Sequence, residues 1–142
     1  HHDFWPTNLF AGADGRTVAL DWSVCGLGVV TGDLEQLTLD PVWMQVRPGG
    51  DLDALERAVL PAYAEGLRAA GFDLCDAELR RWYAATAGLR YTSVLATQAD
   101  LAADADRVVA LERRWATSLE AVIADRARVV ERALDLAEEC LG

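Results

Sequence analysis

The sequence has 142 residues, of which 52% are hydrophobic and 25% are charged, as expected for one globular domain with a single core. Its formal net charge is −10, and all 13 of its Lys and Arg residues are arginine. This acidic composition argues against a nucleic-acid partner, which requires a basic stripe. No apolar run approaches the roughly 18 residues that span a bilayer, so no membrane partner is expected.

The cysteines indicate a reducing compartment. Cys25, Cys75 and Cys140 are odd in number, widely spaced and without a C-x-x-C pair. This pattern predicts free thiols in a cytoplasmic protein rather than a disulfide framework or a zinc site.

The first residues of the chain contain side chains suited to phosphoryl transfer. His1, Asp3 and Asn8 form the pattern H-x-D-x-x-x-x-N, and Asp21 ends an apolar run thirteen residues after Asn8. Phosphoryl transfer needs one carboxylate to accept the proton of the attacking hydroxyl. It also needs oxygen ligands, such as an amide and a second carboxylate, that hold Mg²⁺ against the phosphates. The full arrangement is a stronger signal than H-x-D alone.

The elements around this motif are predicted to be a small β-hairpin followed by a short helix. Strand-like residues 9–10 and 18–20 flank a turn at Gly12–Gly15. Glycines at 26, 28 and 32 then form a flexible segment, and Asp33 has the chemistry of an N-cap for a helix that ends near Leu39. Residues 1–40 are therefore expected to carry the loops of a functional site, and residues 41–142 to be helical.

These residues resemble the catalytic and metal-binding loops of the aminoglycoside phosphotransferase family of kinase-like small-molecule kinases. Members carry H-G-D-x-x-x-x-N, an Asp-Trp or Asp-Phe pair, a Gly-rich turn and an Asp-Leu that opens a helix. The matching positions are His1 to Asn8, Asp21-Trp22, Gly26 to Gly28, and Asp33-Leu34. The match covers a little over a quarter of the chain. It departs from the family at His2, which replaces the usual Gly, and at Val29-Val30, which replace a frequent Asp-Pro.

The resemblance implies specific roles for four residues. Asp3 would be the catalytic base, His1 would orient the loop, and Asn8 and Asp21 would be the ligands of Mg²⁺. The implied nucleotide is ATP or GTP, and the implied acceptor is the hydroxyl of a small molecule. The implied fold is the mainly α C-terminal lobe of a protein-kinase-like fold, with a small β-hairpin.

The nucleotide-binding parts of such an enzyme are not in this sequence. Both common phosphate-binding designs use a lysine and a Gly-rich loop, and the chain contains no lysine. The sequence is therefore interpreted as a single partial domain, 1–142, that is inactive without a missing N-terminal lobe. The alternative is a non-catalytic relative that keeps the kinase-like shape for binding or regulation.

The acceptor itself is not identified by the sequence. The net charge of −10 would suit a cationic substrate such as an aminoglycoside, because an acidic cleft attracts cations. Solvated helix faces are also often acidic, and nothing in the sequence assigns these carboxylates to a cleft.

The rest of the chain has the apolar period of helices. Residues 41–50 are predicted to be a connector, followed by a helix from Leu52 that Pro61 kinks and Gly71 ends. Asp53 with Glu56 resembles a capping box at its start. A second helix is expected from Asp76 to about Leu95. Residues 104–139 should form one long helix, or two with a break near Thr117-Ser118. The expected stripe on this stretch is Val108, Leu111, Trp115, Leu119, Val122, Val130, Leu134 and Ala137.

Tryptophans and histidines have more than one interpretation. Trp5, Trp22 and Trp43 could line a pocket or be buried structural residues. Trp82 and Trp115 lie on helical stripes and are predicted to be core. Arg80-Arg81 and Arg113-Arg114 are predicted to be surface pairs with nearby Glu. A purification-tag remnant would explain two adjacent histidines, but not the spacing of the carboxylates that follow. A transition-metal site would need further His or Cys ligands.

Overall fold

The computed structural model describes residues 1–93 and 95–141, which are mainly helical with one two-stranded sheet. The predicted mainly α class with a small β-hairpin is therefore confirmed. None of the described helices is both long and apolar enough to cross a membrane.

The β-hairpin lies near the start of the chain. Strands β1 (Leu9–Ala11) and β2 (Thr17–Ala19) pair antiparallel, so that Leu9 faces Ala19. Gly15 in the connecting turn has φ +78°, a left-handed backbone that glycine adopts without steric cost. Short 3₁₀ turns precede the hairpin at Pro6–Asn8 and follow it at Trp22–Val24.

Seven described α-helices follow the hairpin. They are α1 (Leu34–Thr38), α2 (Asp40–Trp43), α3 (Leu52–Ala69), α4 (Asp76–Thr92), α5 (Leu95–Ala102), α6 (Ala105–Trp115) and α7 (Leu119–Leu141). A 3₁₀ turn at Gly49–Asp51 leads into α3.

The boundaries agree with the sequence where local signals are strong. Gly71 has φ +87° just past the end of α3, and α3 continues through Pro61. α6 and α7 are separated by a break at residues 116–118, which is the second of the two predicted alternatives. The 41–50 connector is only partly correct, because α2 begins at Asp40 and contains Pro41 in its first turn. The second helix ends at Thr92, and Leu95 begins α5.

The core forms between α1, α2, α3, α4 and α7. α4 and α7 have the most extensive contact, and α1 and α2 pack against α3 and α7. The buried residues of this core are Leu34, Leu39, Val42, Leu52, Ala64, Leu79, Tyr83, Ala84, Ala87, Tyr91, Val129, Ala133 and Leu136. At about 25 cal/mol per Å² of apolar area, burial of these side chains is the main favourable contribution to folding.

The capping box predicted at the start of α3 is wrong. The N-cap residue is Asp51, which makes no side-chain capping bond. The Glu56 carboxylate instead accepts hydrogen bonds from Arg132 of α7, at 2.8 to 3.1 Å, and from the Tyr83 hydroxyl at 2.9 Å. Glu56 is 9% exposed. Burying a carboxylate without hydrogen-bond partners costs more free energy than leaving a helix end without a side-chain cap.

Two predictions about the helical stripes need correction. Trp82 was expected in the core, but it is 46% exposed. Leu134 is 45% exposed, whereas Val122 and Val130 of the predicted stripe are buried. The buried residues of α7 are Val122, Arg126, Val129, Val130, Ala133 and Leu136.

Arg126 explains why the predicted apolar stripe on α7 differs from its buried face. Its guanidinium lies 4.7 Å from the ring centroid of Trp43 and 5.2 Å from that of Trp115. It also donates hydrogen bonds to the Trp43 carbonyl at 3.2 Å and to Gln98 at 2.6 Å. A charged residue on a buried face breaks the apolar period that a sequence search follows. Trp115 is half-buried and contributes one side of this stack.

The predicted arginine pairs on α4 are confirmed for Arg80. It bonds Glu139 of α7 at 2.9 Å and approaches Glu56 of α3 at 3.6 Å. The pair is therefore a bridge between helices and not a contact within one helix.

The packing of α4 on α7 at Gly88 yields a stability prediction. A Cβ added at Gly88 would lie 2.9 Å from the Cβ of Ala137, which cannot move without the α7 backbone. Gly88→Leu should therefore lower the free energy of unfolding by about 1–3 kcal/mol. The measurement is urea denaturation followed by circular dichroism.

Gly66→Leu is the matched control on α3. No atom lies within 4 Å of a Cβ added there. Leucine is a better helix former than glycine, so this variant should gain up to about 1 kcal/mol. Equal effects at the two positions would contradict the close packing of α4 on α7.

Candidate functional site

Residues 1–8, the motif loop, are held by the side chains of α1. The two carboxylate oxygens of Asp33 accept hydrogen bonds from the backbone nitrogens of His1 and His2, each at 2.8 Å. One turn further along α1, Gln36 donates to the His2 carbonyl at 2.8 Å and accepts from the Phe4 backbone N–H. Four backbone groups of the loop are thereby fixed to one helix face.

Asp33 is the N-cap residue of α1, as predicted, but it has helical dihedral angles and its side chain makes no capping bond. Its carboxylate is used by the loop instead, because the loop presents two backbone N–H groups that need acceptors.

His2 adopts a left-handed backbone and occupies the space next to Gly28. Its φ is +63°, a region that non-glycine residues rarely adopt. A Cβ added at Gly28 would lie 2.3 Å from Cε1 of the His2 ring. His2 and Gly28 are therefore sterically complementary: the imidazole fills the volume that the glycine leaves open. The substitution of His for the usual Gly of the motif is accommodated in this way.

His1 connects the motif loop to the segment that carries Asp21. Its Nε2 lies 2.9 Å from the carbonyl oxygen of Leu20, next to Asp21 in sequence. Its ring contacts Trp22, with centroids 4.5 Å apart, and Phe4, with centroids 5.4 Å apart. The side chain is 2% exposed. These contacts are those that an orienting residue needs, and the role of His1 remains a prediction.

Asp3 and Asn8 are in direct contact. The Asn8 side-chain nitrogen donates to the backbone carbonyl of Asp3 at 2.9 Å and to its carboxylate Oδ2 at 2.7 Å. Within the described part of the chain Asp3 takes part in no ion pair, and its side chain lines a cavity. The predicted base is thus half-buried, oriented by an amide and open on one side.

The hairpin brings Asp21 to the same end as Asn8. The Leu20 backbone N–H donates to the Asn8 carbonyl at 2.9 Å, which extends the strand pairing by one residue. Asp21 follows at once, so its Cα and that of Asn8 lie within about 9 Å. Asp21 has φ +55°, and its Oδ1 accepts from the Ser23 hydroxyl at 2.5 Å.

This end of the hairpin has the chemistry of a Mg²⁺ site. Because the Asn8 nitrogen faces Asp3, its oxygen Oδ1 is left for another partner, and Asp21 offers a carboxylate oxygen. Hard Mg²⁺ prefers such ligands and takes the rest from water or phosphate. Among the described residues, no three His, Cys, Asp or Glu side chains are grouped to hold a metal. A two-residue site completed by phosphates fits the residues present.

A cavity of about 260 Å³ lies beside Asp3. It combines three aromatic rings with two carboxylates and one guanidinium. The lining residues are Asp3, Trp5, Asp40, Trp43, Met44, Arg90 and Tyr91. Two of the three tryptophans considered for a pocket therefore line one. Trp22 is 57% exposed and instead covers the His1 ring.

Buried charges form the wall of this cavity. Arg90 of α4 donates to Glu35 of α1 at 3.1 Å and to Asp40 of α2 at 2.9 Å, and the Tyr91 hydroxyl also bonds Asp40. Burial raises the pKa of Glu35 above its ordinary value, although Arg90 opposes the shift. Burial likewise raises the pKa of Asp40, and the neighbouring Asp3 charge adds to this increase.

Sequence reasoning missed most of these wall and support residues. The available sequence signal for these residues was a set of polar positions in a short, mostly apolar helical stretch, namely Glu35, Gln36 and Asp40. Arg90 and Tyr91 lie some fifty positions away. No local spacing connects them with the motif.

No protein-family model matches the chain, and neither the curated proteins nor the solved structures give a match. The resemblance to the aminoglycoside phosphotransferase family therefore rests on the residues of the motif alone.

The buried carboxylates predict a pH dependence of stability. A carboxyl whose pKa is raised by folding binds more protons in the folded than in the unfolded state. Its contribution to stability is complete below its unfolded pKa and is lost as the pH rises through its folded pKa. Glu35→Gln removes the contribution of the Glu35 carboxyl to the pH dependence of the free energy of unfolding. The variant should therefore gain stability relative to the wild type as the pH rises above about 4.5, the ordinary pKa of a glutamate side chain.

Urea denaturation at several pH values measures this difference. The matched control is Glu138→Gln on α7, since this exposed side chain remains in water on folding. The difference in free energy of unfolding between Glu138→Gln and the wild type should not change with pH. A flat difference for Glu35→Gln as well would show that burial does not raise the pKa of Glu35.

Proposed function

We propose that this protein is the catalytic part of a kinase-like phosphotransferase that phosphorylates a hydroxyl group of a small molecule. The observation that carries this proposal is the contact of Asn8 with the Asp3 carboxylate beside a cavity. Asp21 lies at the same end of the hairpin and completes the set.

Each residue has a definite role in this proposal. The Asp3 carboxylate binds the acceptor hydroxyl and takes its proton as the oxygen bonds to the γ-phosphorus of the nucleotide. The bond from the γ-phosphorus to the bridging oxygen breaks, and the nucleoside diphosphate leaves. The Asn8 amide holds one oxygen of Asp3, which leaves the other oxygen for the acceptor hydroxyl. Mg²⁺ bound to Asn8 and Asp21 would neutralise the charge of the transferred phosphoryl group. His1 keeps the Asp21 segment against the motif loop through the Leu20 carbonyl.

The nucleotide phosphates need residues that these 142 do not offer. The sequence contains no lysine, which both common phosphate-binding designs use. In our proposal a separate N-terminal lobe binds ATP or GTP, and the described helices form the C-terminal lobe of a kinase-like fold. The exposed apolar surface of the hairpin is compatible with packing against such an N-terminal lobe, since Phe10 is 53% and Val18 is 46% exposed.

Location in the cytoplasm belongs to the same proposal. Cys25, Cys75 and Cys140 are all unpaired, and two of them are exposed. Free exposed thiols suit a reducing compartment, where nucleotide and Mg²⁺ are also available.

Variants of the complete two-lobed enzyme test the assigned roles. Asp3→Asn should lower kcat by about 10²–10⁴-fold, with little change in nucleotide affinity, because Asp3 acts on the acceptor. Asp21→Ala should abolish turnover by removing a metal ligand. The assay is transfer of labelled γ-phosphate from ATP to a panel of hydroxylated compounds.

Asp14→Asn is the control for these variants, because Asp14 lies in the turn at the opposite end of the hairpin. It should retain full turnover. Unchanged turnover in Asp3→Asn would remove Asp3 from the base role. A protein that binds a hydroxylated compound without any phosphoryl transfer would support the non-catalytic alternative.

The need for a second lobe is tested with the 142 residues alone. Isothermal titration with Mg-ATP should show no binding in the micromolar range, because neither a lysine nor a Gly-rich loop holds the phosphates. Tight binding, or phosphorylation of a substrate by these residues alone, would show that the chain contains its own phosphate site.

A further inference from the structure

The outer side of α4 is apolar. Trp82, Ala85, Thr86 and Leu89 recur at three- and four-residue steps, which places them on one side of the helix. Trp82 is 46% and Leu89 is 78% exposed, whereas Tyr83 lies in the core on the other side. A helix that is apolar on both sides is ordinarily covered on both. The exposed stripe therefore indicates a contact surface.

Two cavities adjoin this stripe and extend it. One, of about 520 Å³, lies between α4 and residues 28–31, and Val29 lines it. The other, of about 310 Å³, lies between α4 and the end of α7, and Leu141 lines it. Ala85 lines both cavities, and the described residues that line them include no charged side chain. We call this continuous surface the α4 face, which comprises Val29, Trp82, Ala85, Thr86, Leu89 and Leu141.

The exposed apolar area of the α4 face fits a small interface between two copies of the chain. Val29 is 62% and Leu141 is 89% exposed. With ~60–120 Å² for a fully exposed aliphatic side chain and ~150–250 Å² for tryptophan, the four large side chains of the face present about 300 Å². Two copies would bury about 600 Å² from these side chains alone. The smallest stable interfaces bury ~1,200 Å² in total, slightly more than half of it apolar. The area therefore suffices for a weak dimer.

The order of side-chain sizes along α4 favours a second copy of this chain as the partner. A two-fold axis between Ala85 and Thr86, with the two α4 helices antiparallel, brings Trp82 opposite Leu89 of the second copy and Leu89 opposite its Trp82. The small residues then lie at the axis, where packed helices approach to ~8–10 Å, and the large residues lie at both ends. The α4 face is thus complementary to itself.

We propose that the α4 face binds the same face of a second copy of this chain and forms an antiparallel, two-fold symmetric dimer. This dimer is independent of the proposed function, because the residues assigned to phosphoryl transfer lie outside the α4 face.

The net charge of the chain determines how salt affects such a dimer. Each copy carries a formal charge of −10, so two copies repel each other through water, and salt screens this repulsion. The apolar contact itself brings no like charges together. Salt should therefore strengthen the dimer, whereas it would weaken the binding of a cationic partner to this acidic chain.

Sedimentation velocity of the 142-residue protein tests the dimer. The protein concentration is varied across the micromolar range, with a reducing agent, because Cys25 and Cys75 are exposed and would otherwise form disulfide-linked pairs. We expect a reversible monomer–dimer equilibrium with a Kd in the micromolar range, as for other small interfaces. The Kd should be lower at about 0.5 M than at about 0.05 M sodium chloride.

An aspartate on the α4 face should prevent the dimer. Leu89→Asp should raise the Kd by about a hundredfold or more, because both copies lose an apolar contact and gain a charge in the interface. Its exposed position leaves the core intact, which circular dichroism verifies. The matched control is Ile123→Asp, which is 41% exposed and lies eighteen positions before Leu141 on α7. The control should dimerise as the wild type does.

A larger residue at the axis distinguishes packed helices from unspecific association. Ala85→Phe enlarges the exposed apolar surface, so unspecific association would become tighter. In the antiparallel dimer the added ring separates the two helices where they are closest, so the Kd should rise by about tenfold or more.

A protein that stays monomeric at every concentration would overturn the proposal, as would an unchanged Kd in Leu89→Asp or a lower Kd in Ala85→Phe. Equal weakening by Ile123→Asp and Leu89→Asp would place the contact elsewhere and overturn it as well. The same measurement is made on the complete two-lobed enzyme. A dimer there supports the proposal, whereas a monomer there would assign the α4 face to the other lobe and reject the dimer.

The outcome is separate from that of the phosphotransferase assay. A dimer through the α4 face without any phosphoryl transfer would support the dimer and reject the kinase function. Phosphoryl transfer by an enzyme that stays monomeric would do the reverse.

Discussion

The contact of Arg90 with Glu35 and Asp40 is the interaction on which the candidate site depends. Buried carboxylates must be paired, and Arg90 pairs two of them, one on α1 and one on α2. The two short helices are thereby fixed against α4, which itself packs along α7 in the core. Asp33, the residue before α1, and Gln36 of α1 hold the backbone of the motif loop. The position of Asp3 is therefore set by helices far from it in sequence.

The parts of the fold that follow local rules were accessible from the sequence. The hairpin, the glycine that ends α3 and the break between α6 and α7 each depend on residues within a few positions of the feature, and all three are present. The contact of Asn8 with Asp3 also lies within one short loop. Such features need only spacing and residue type, which one sequence displays in full.

The parts that failed depend on contacts between distant segments. Asp33 and Glu56 have the chemistry of helix ends, but partners 27 to 76 positions away use their carboxylates. Arg126 occupies a core position because Trp43 and Trp115 offer their rings to it, and a hydropathy pattern marks such a position as surface. Trp82 was predicted from its stripe, yet that side of α4 is partly exposed. In each case a tertiary partner, or its absence among the described residues, outweighed the local preference.

Stability alone does not account for the charged wall beside Asp3. Replacing a buried ion pair by apolar residues of similar volume is often neutral or stabilising by about 1–4 kcal/mol, because desolvation offsets the attraction. Glu35 shows this cost directly, since its buried Oε2 has no hydrogen-bond partner in the described part of the chain and burial raises its pKa. A hydrophobic wall would hold α1 and α2 against α4 without the desolvation free energy that buried charges cost. The charges instead fix position: the directional bonds of Arg90 with Glu35 and Asp40 set how α1 and α2 lie against α4, beside the cavity that Asp3 lines.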